Sequence, residues 1–260
     1  VCRKGMRAHL RSLRTPARCS NGSQLHAREL GVCRCDCVFV DIGVNEGRTL
    51  MGWPQMAVQR PRITSAQRAR MRDCLEPASR ACYYGFEANP AFTPRLRRLQ
   101  STLRANRTRA RIFTGTAFST HSHGSDFFVD SQWHGLGSTL VPSKSTFQLS
   151  PQTGRWELNR SQTAATAYRR VRVATTDGAA FLAELASGRP RFVGVKLDAE
   201  GGETAILSHL LNGSRDVLCG VDVLAIEWHD WLLPRAIGRL KKPLAKRMRR
   251  CANLTVVQWR

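Results

Sequence analysis

The side chains in this sequence that could do chemistry are carboxylates set at the ends of short apolar runs. "VFVDIGVNEG" (38–47) breaks at Asp41 and then alternates Gly43, Asn45 and Gly47. "YYGFEANP" (83–90) breaks at Glu87. "FVGVKLDAEGGE" (192–203) carries Lys196, Asp198, Glu200 and Glu203, and "DVLAIEWHD" (222–230) closes on His229 and Asp230. Open α/β sheets bind ligands outside the carboxyl ends of their strands, at the topological switch point, so an acidic strand tip is well placed to meet one. Gly43 and Gly47 lack the Cβ that would obstruct a tight turn or a close ligand. A helix starting near Gly47 or Arg48 would aim unpaired N–H groups at the same crevice. Glu87, at the tip of a second strand, can accept both hydroxyl protons of a ribose. The 41–47 segment fits neither the G-x-G-x-x-G fingerprint nor the calcium-loop spacing. A plain strand-to-helix turn is the competing reading.

Lys196, Asp198 and Glu200 alternate along one strand end and therefore share a face. On that face Lys196 would stay charged and orient its acidic neighbours. His229 changes charge near neutral pH and is a candidate base, although a lone histidine serves structural roles as readily. Glu200 and Glu203 have an alternative use as caps of the following helix, whose N-terminus favours negative charge. His121 and His123 could bind metal with Asp126, but no fourth ligand accompanies them. Cys33, Cys35 and Cys37 lack C-x-x-C spacing and a second matching pair. No metal is assigned.

The elements that must position these groups follow from hydropathy. Strand-like runs at 37–43, 82–89, 109–118, 168–176, 192–198 and 222–229 alternate with amphipathic stretches at 92–106, 177–187 and 201–212. That alternation predicts an α/β domain with a mainly parallel sheet and right-handed crossovers. The domain runs over 37–260, behind a basic extension at 1–36. Two stretches break the rhythm and read as insertions: a Pro- and Arg-rich one at 51–81, and a Gly/Ser/Thr/His-rich flap or hairpin at 119–167.

The formal charge of +22, carried almost wholly by arginine, would attract polyanions: nucleic acid, anionic headgroups or charged glycans. The arginines are scattered, however, and the densest clusters (94–111 and 239–250) contain few aromatics for base stacking. No run of 18 apolar residues offers a membrane span. Nine cysteines and five N-x-S/T sequons (Asn21, Asn106, Asn159, Asn212, Asn253) lean toward a secretory-pathway lumen and leave the cytoplasm open.

In order, "VFVDIGVNEG", "YGFEANP", "GTAFST", "VRVATTDGAAFL", "FVGVKLDAEGGETAIL" and "DVLAIEWH" resemble FkbM-like methyltransferases over roughly 37–230. "VKLDAEGGE" is the most specific piece. The resemblance implies a Rossmann-like class I methyltransferase fold: a mainly parallel, seven-stranded-type sheet with helices on both faces and inserted loops. It implies S-adenosyl-L-methionine as cofactor, with Asp41, Gly43, Asn45 and Gly47 along its methionine part, Glu87 on its ribose, and Ala117 and Phe118 near its adenine. Asp198, Lys196, Glu200 and His229 are then the catalytic candidates, Asp198 first, for methyl transfer to a hydroxyl of a small molecule or glycan. The competing classes are an RNA-directed methyltransferase and a polyanion-binding member of the fold without turnover. No Asn-Pro-Pro-Tyr-type loop follows the fourth strand, which argues against methylation of base amino groups.

Overall fold

A computed structural model of the chain describes residues 35–76, 80–130, 135, 137–141, 147–149, 156–158, 168–213, 217–229 and 239–259. Nearly all of the basic extension, Cys33 and Asp230 lie outside these residues. The first strand, β1 (Cys37–Ile42), is buried at every position, as expected where the consecutive apolar residues 38–40 mark a strand covered on both faces. It is followed by helices α1 (Trp53–Ala57) and α2 (Ser65–Leu75), strand β2 (Ala81–Glu87), helix α3 (Thr93–Ala105), and strands β3 (Arg109–Thr114), β4 (Thr116–Ser119) and β5 (Ser125–Asp130). Then come β6 (Phe147–Leu149), β7 (Trp156–Leu158), β8 (Tyr168–Asp177), α4 (Gly178–Ser187), β9 (Phe192–Leu197), α5 (Glu203–Asn212), β10 (Val223–Ile226), α6 (Lys241–Met248) and β11 (Thr255–Gln258).

The main sheet has the order β11-β10-β9-β1-β2-β3, and each of its five pairings is parallel. The chain winds outward from β1 through β2 to β3, then returns to β9 on the other side of β1. The switch point therefore lies between β1 and β9. Alternation along β1 divides the core. Val38, Val40 and Ile42 face a layer containing Phe181 and Leu185 of α4, Leu207 of α5 and Leu244 of α6. Phe39 faces Trp53 of α1, Met71 of α2 and Leu96 of α3.

Three expectations change. The run at 168–176 is not in the main sheet: β8 pairs parallel with β4 and antiparallel with β5 in a separate three-stranded sheet. Its exposed arginines at 169, 170 and 172 could not sit in a strand covered on both faces. The run at 109–118 is split by Gly115, at φ +63°, so Ala117 and Phe118 leave the main sheet and join β8. The main sheet accordingly has six strands, the outermost being the short Thr255–Gln258 segment for which no strand was expected. The 51–81 stretch holds two helices that pack on the core. Its α1 and α2 close one core layer, with Trp53 fully buried and edge-on to Phe39 at 5.7 Å. Within 119–167 lie β5, which pairs with β8, and the antiparallel pair β6–β7.

Disulfides join Cys35 to Cys82, Cys37 to Cys74, and Cys219 to Cys251. Cys35 and Cys37 of the "CRCDC" cluster are thereby taken up in covalent bridges.

Candidate active site

Under the carboxyl end of the sheet lies a buried ionic group. Asp41 and Lys196 are register partners on adjacent strands. The Lys196 ammonium donates to Asp41 Oδ1 at 3.0 Å, to Asp198 Oδ2 at 3.1 Å and to the Gly43 carbonyl at 3.3 Å. Thr49 donates to the other Asp41 oxygen at 2.8 Å. Burial is the largest influence on Lys196 and acts to lower its proton affinity. The two carboxylates together outweigh it and hold the ammonium above its ordinary range. Asp41 is completely buried by this arrangement and is not among the residues that line the cleft above it.

The loop after β1 is shaped by close approach. Gly43 sits at φ +84°, and a Cβ there would run into the carbonyl oxygen of Asp198. Asn45 is left-handed at φ 52°, and its N–H donates to Glu87 Oε2 at 2.6 Å. Glu87 Oε1 accepts from the Asn89 N–H at 2.7 Å. Two backbone donors thus fix the Glu87 carboxyl, while burial pushes its pKa up to about 7 against their pull. Gly47 has a different reason: at φ +88°, its missing Cβ makes room for Leu99 of α3, and it does not line the cleft. No helix begins at Gly47 or Arg48. Residues 45–48 form turns, and α1 starts only at Trp53.

Over this floor opens a cleft of about 440 Å³, counting the solvent space at its open mouth. Gly43, Asn45, Glu87, Ala117, Phe118, Asp198 and Glu200 line it, together with Phe86, Thr116, Phe127, Ser138 and Leu140. The structure thus brings seven of the eleven anticipated residues to one cavity. Asp41, Gly47, Lys196 and His229 are not on its wall. One side is aromatic and aliphatic, backed by Phe113, which stacks on Phe86 with centroids 4.6 Å apart. The other side is acidic. Glu87, Asp198 and Glu200 are its only charged side chains among the described residues. Glu200 does not continue the strand alternation with Lys196 and Asp198. It occupies a left-handed turn at φ 50°, and its carbonyl accepts from the Thr139 hydroxyl at 2.7 Å. That contact ties the segment after β5 to the cleft.

Behind the cleft, His229 is buried and its Nδ1 lies 2.9 Å from Glu203 Oε1. A carboxylate only accepts, so Nδ1 carries a proton and donates it. Nε2 is 3.8 Å from both Glu200 Oε2 and Glu227 Oε1. Glu203 also accepts from the N–H groups of Ala199 and Gly201 at 3.0 and 3.1 Å, which fixes the loop ahead of α5. It puts negative charge in the first turn of that helix but makes no side-chain cap bond to it. His121 and His123 stack on each other, and Asp126 faces Arg170 and Arg172 at 3.6 Å.

Sequence reasoning passed over Thr49, Ser138 and Glu227. Glu227 had a readable signal: it stands two positions before His229, just past a strand, and so shares its face. Thr49 and Ser138 come from loops with no such periodicity. A family model described as the methyltransferase FkbM domain matches residues 41–250. No curated protein and no solved structure matches the chain.

Proposed function

This chain belongs to the FkbM methyltransferase family, and from that premise we propose that it transfers the methyl group of S-adenosylmethionine to a hydroxyl of a small molecule or glycan. The observation that carries the reading is the sign of the cleft. In a chain of net charge +22, the cleft presents only acidic charged groups among the described residues. A cationic ligand is favoured there and a polyanion is not. The residues also fit a nucleoside with a sulfonium arm. Phe86, Phe118, Phe127 and Leu140 offer an apolar wall for a flat base, and Glu87 offers a fixed carboxylate for a diol. Gly43 leaves its backbone uncovered beside Asp198.

When bound, S-adenosylmethionine supplies a methyl group already activated by its positive sulfur. The protein's share is orientation and proton management. Glu87 is held by Asn45 and Asn89 with lone pairs left for two hydroxyl donors. Lys196 fixes the Asp198 carboxylate at the floor of the cleft and is a positioning residue, since it does not reach the cavity wall. Glu203 fixes the His229 ring behind the cleft, and Nε2 stands 3.8 Å from Glu200, the carboxylate on the wall that can take a proton from an acceptor hydroxyl.

The three disulfides support a site of action in an oxidising compartment such as the secretory lumen. Exposed Asn106, Asn212 and Asn253 are then glycosylation acceptors. The test is incubation with labelled S-adenosylmethionine and extracted metabolites or glycans, followed by identification of the labelled product. Label in a methyl ether, with matching S-adenosylhomocysteine, is expected. Calorimetry showing no cofactor binding would overturn the reading.

A further inference from the structure

We propose that Asp198, Glu227 and His229 form a binding site for one divalent cation beside the cleft. Each of the three offers a ligand atom, and all three atoms lie within 4.8 Å of one another. Glu227 Oε1 and His229 Nε2 are 3.8 Å apart, which is too long for a hydrogen bond. Two donors sharing an ion at roughly 2.0–2.2 Å stand about 3–4.3 Å from each other, and this pair falls in that range.

The ligands come from rigid, adjacent strand ends. Asp198 follows β9, while Glu227 and His229 follow β10, and Ala225 and Ile226 pair in register with Lys196 and Leu197. The Glu227 N–H continues the ladder onto the Leu197 carbonyl at 3.0 Å. A separate residue points the same way. Glu203, outside the ligand trio and 1 % exposed, accepts from His229 Nδ1 at 2.9 Å and fixes the ring with a ligand atom within 4.8 Å of those of Asp198 and Glu227. A carboxylate behind a histidine is the arrangement that orients ligating imidazoles and makes them better donors. One imidazole nitrogen with two carboxylates suits a borderline-to-hard ion such as Mn²⁺, Fe²⁺ or Zn²⁺. An ion there would bind the acceptor's hydroxyl oxygen and make its proton easier to remove. That role rests on the methyl-transfer reading, and the site itself does not.

The test is titration of the chelator-treated full chain with Mn²⁺, following the spectrum of the free ion by electron paramagnetic resonance. One ion bound per chain is expected, with a raised thermal midpoint. His229→Ala and Glu227→Gln should each weaken binding at least about tenfold, and Glu203→Gln about 10- to 100-fold although it touches no ion. Absence of Mn²⁺ and Zn²⁺ binding at millimolar concentration would overturn the proposal. So would unchanged Mn²⁺ binding in His229→Ala and Glu227→Gln variants that keep native circular dichroism. Cofactor binding without ion binding removes the ion site and leaves the methyl-transfer reading intact. Ion binding without cofactor binding supports the site and removes that reading.

Discussion

Replacing Lys196 by methionine keeps the volume of the side chain and deletes its charge. Asp41 and Asp198 are 0 % and 5 % exposed, so the change leaves two carboxylates together in a place water scarcely reaches. At an effective dielectric near 20, each contact of about 3 Å is worth roughly 5 kcal/mol. Desolvation of each ion costs several kcal/mol in the opposite direction. The complete group therefore contributes little net stability, whereas removing its one cation should cost about 3–5 kcal/mol. Urea unfolding under non-reducing conditions, monitored by tryptophan fluorescence, measures this directly. The triple variant Asp41→Asn, Lys196→Met, Asp198→Asn no longer buries unpaired charge and should recover most of the loss. A single-variant cost below about 1 kcal/mol, or a triple variant no more stable than the single, would refute the reasoning. Cofactor affinity should fall in both, because Asp198 loses its fixed position.

Glu87→Gln should weaken S-adenosylmethionine binding by roughly 1–3 kcal/mol in calorimetry, the scale of hydrogen bonds to a charged acceptor. Wild-type affinity should rise between pH 6 and 8, because hydroxyl donors prefer the ionised Glu87 and its pKa lies near 7. The stability sign is the reverse. The folded pKa is raised, so this group's contribution is fully present below its ordinary value of 4.5 and is lost as pH passes through about 7. Glu87→Gln should flatten that slope in a pH series of melts. Gly43→Ala meets both a φ of +84° and the Asp198 backbone, and should cost at least about 2 kcal/mol in the same urea assay. Reducing the three disulfides, whose cysteines are 47, 37 and 32 positions apart, should lower stability by about 2–4 kcal/mol per bridge. A titration of free thiols in the unreduced, denatured protein would find at most three if all three bridges form, since the chain has nine cysteines.

The strands most legible in the sequence were those whose burial left no alternative. Every residue of β1 and β9 is buried, and the consecutive apolar residues 38–40 and 192–195 within them announced it. Glu87, Asp198 and Gly43 were legible because a carboxylate or a glycine at the tip of a buried strand is costly unless it turns the chain or meets a partner. Asp41 shows the limit of that argument. Its position at a strand end was correct, but its use depends on Lys196, 155 positions away, and on Thr49 reached through a turn. Gly47 likewise answers to Leu99 on a helix that local pattern does not connect to it. The packing of the 51–81 stretch was not legible because Trp53, Ile63 and Met71 are spaced too irregularly to signal a buried face, although all three pack into the layer that covers one side of the sheet.

The first two bridges both act on the start of β1, from opposite faces. Cys35 is tied to the neighbouring strand β2, and Cys37 to α2 on the far layer. That covalent anchoring stands opposite the rim where Gly43, Asn45 and Glu200 adopt left-handed backbone and are held by noncovalent contacts. Protein made in a thiol-rich cytosol would lose this division of labour. Its sheet could splay from the base, and a weakened cofactor grip in such material would report on how it was produced and not on the cleft.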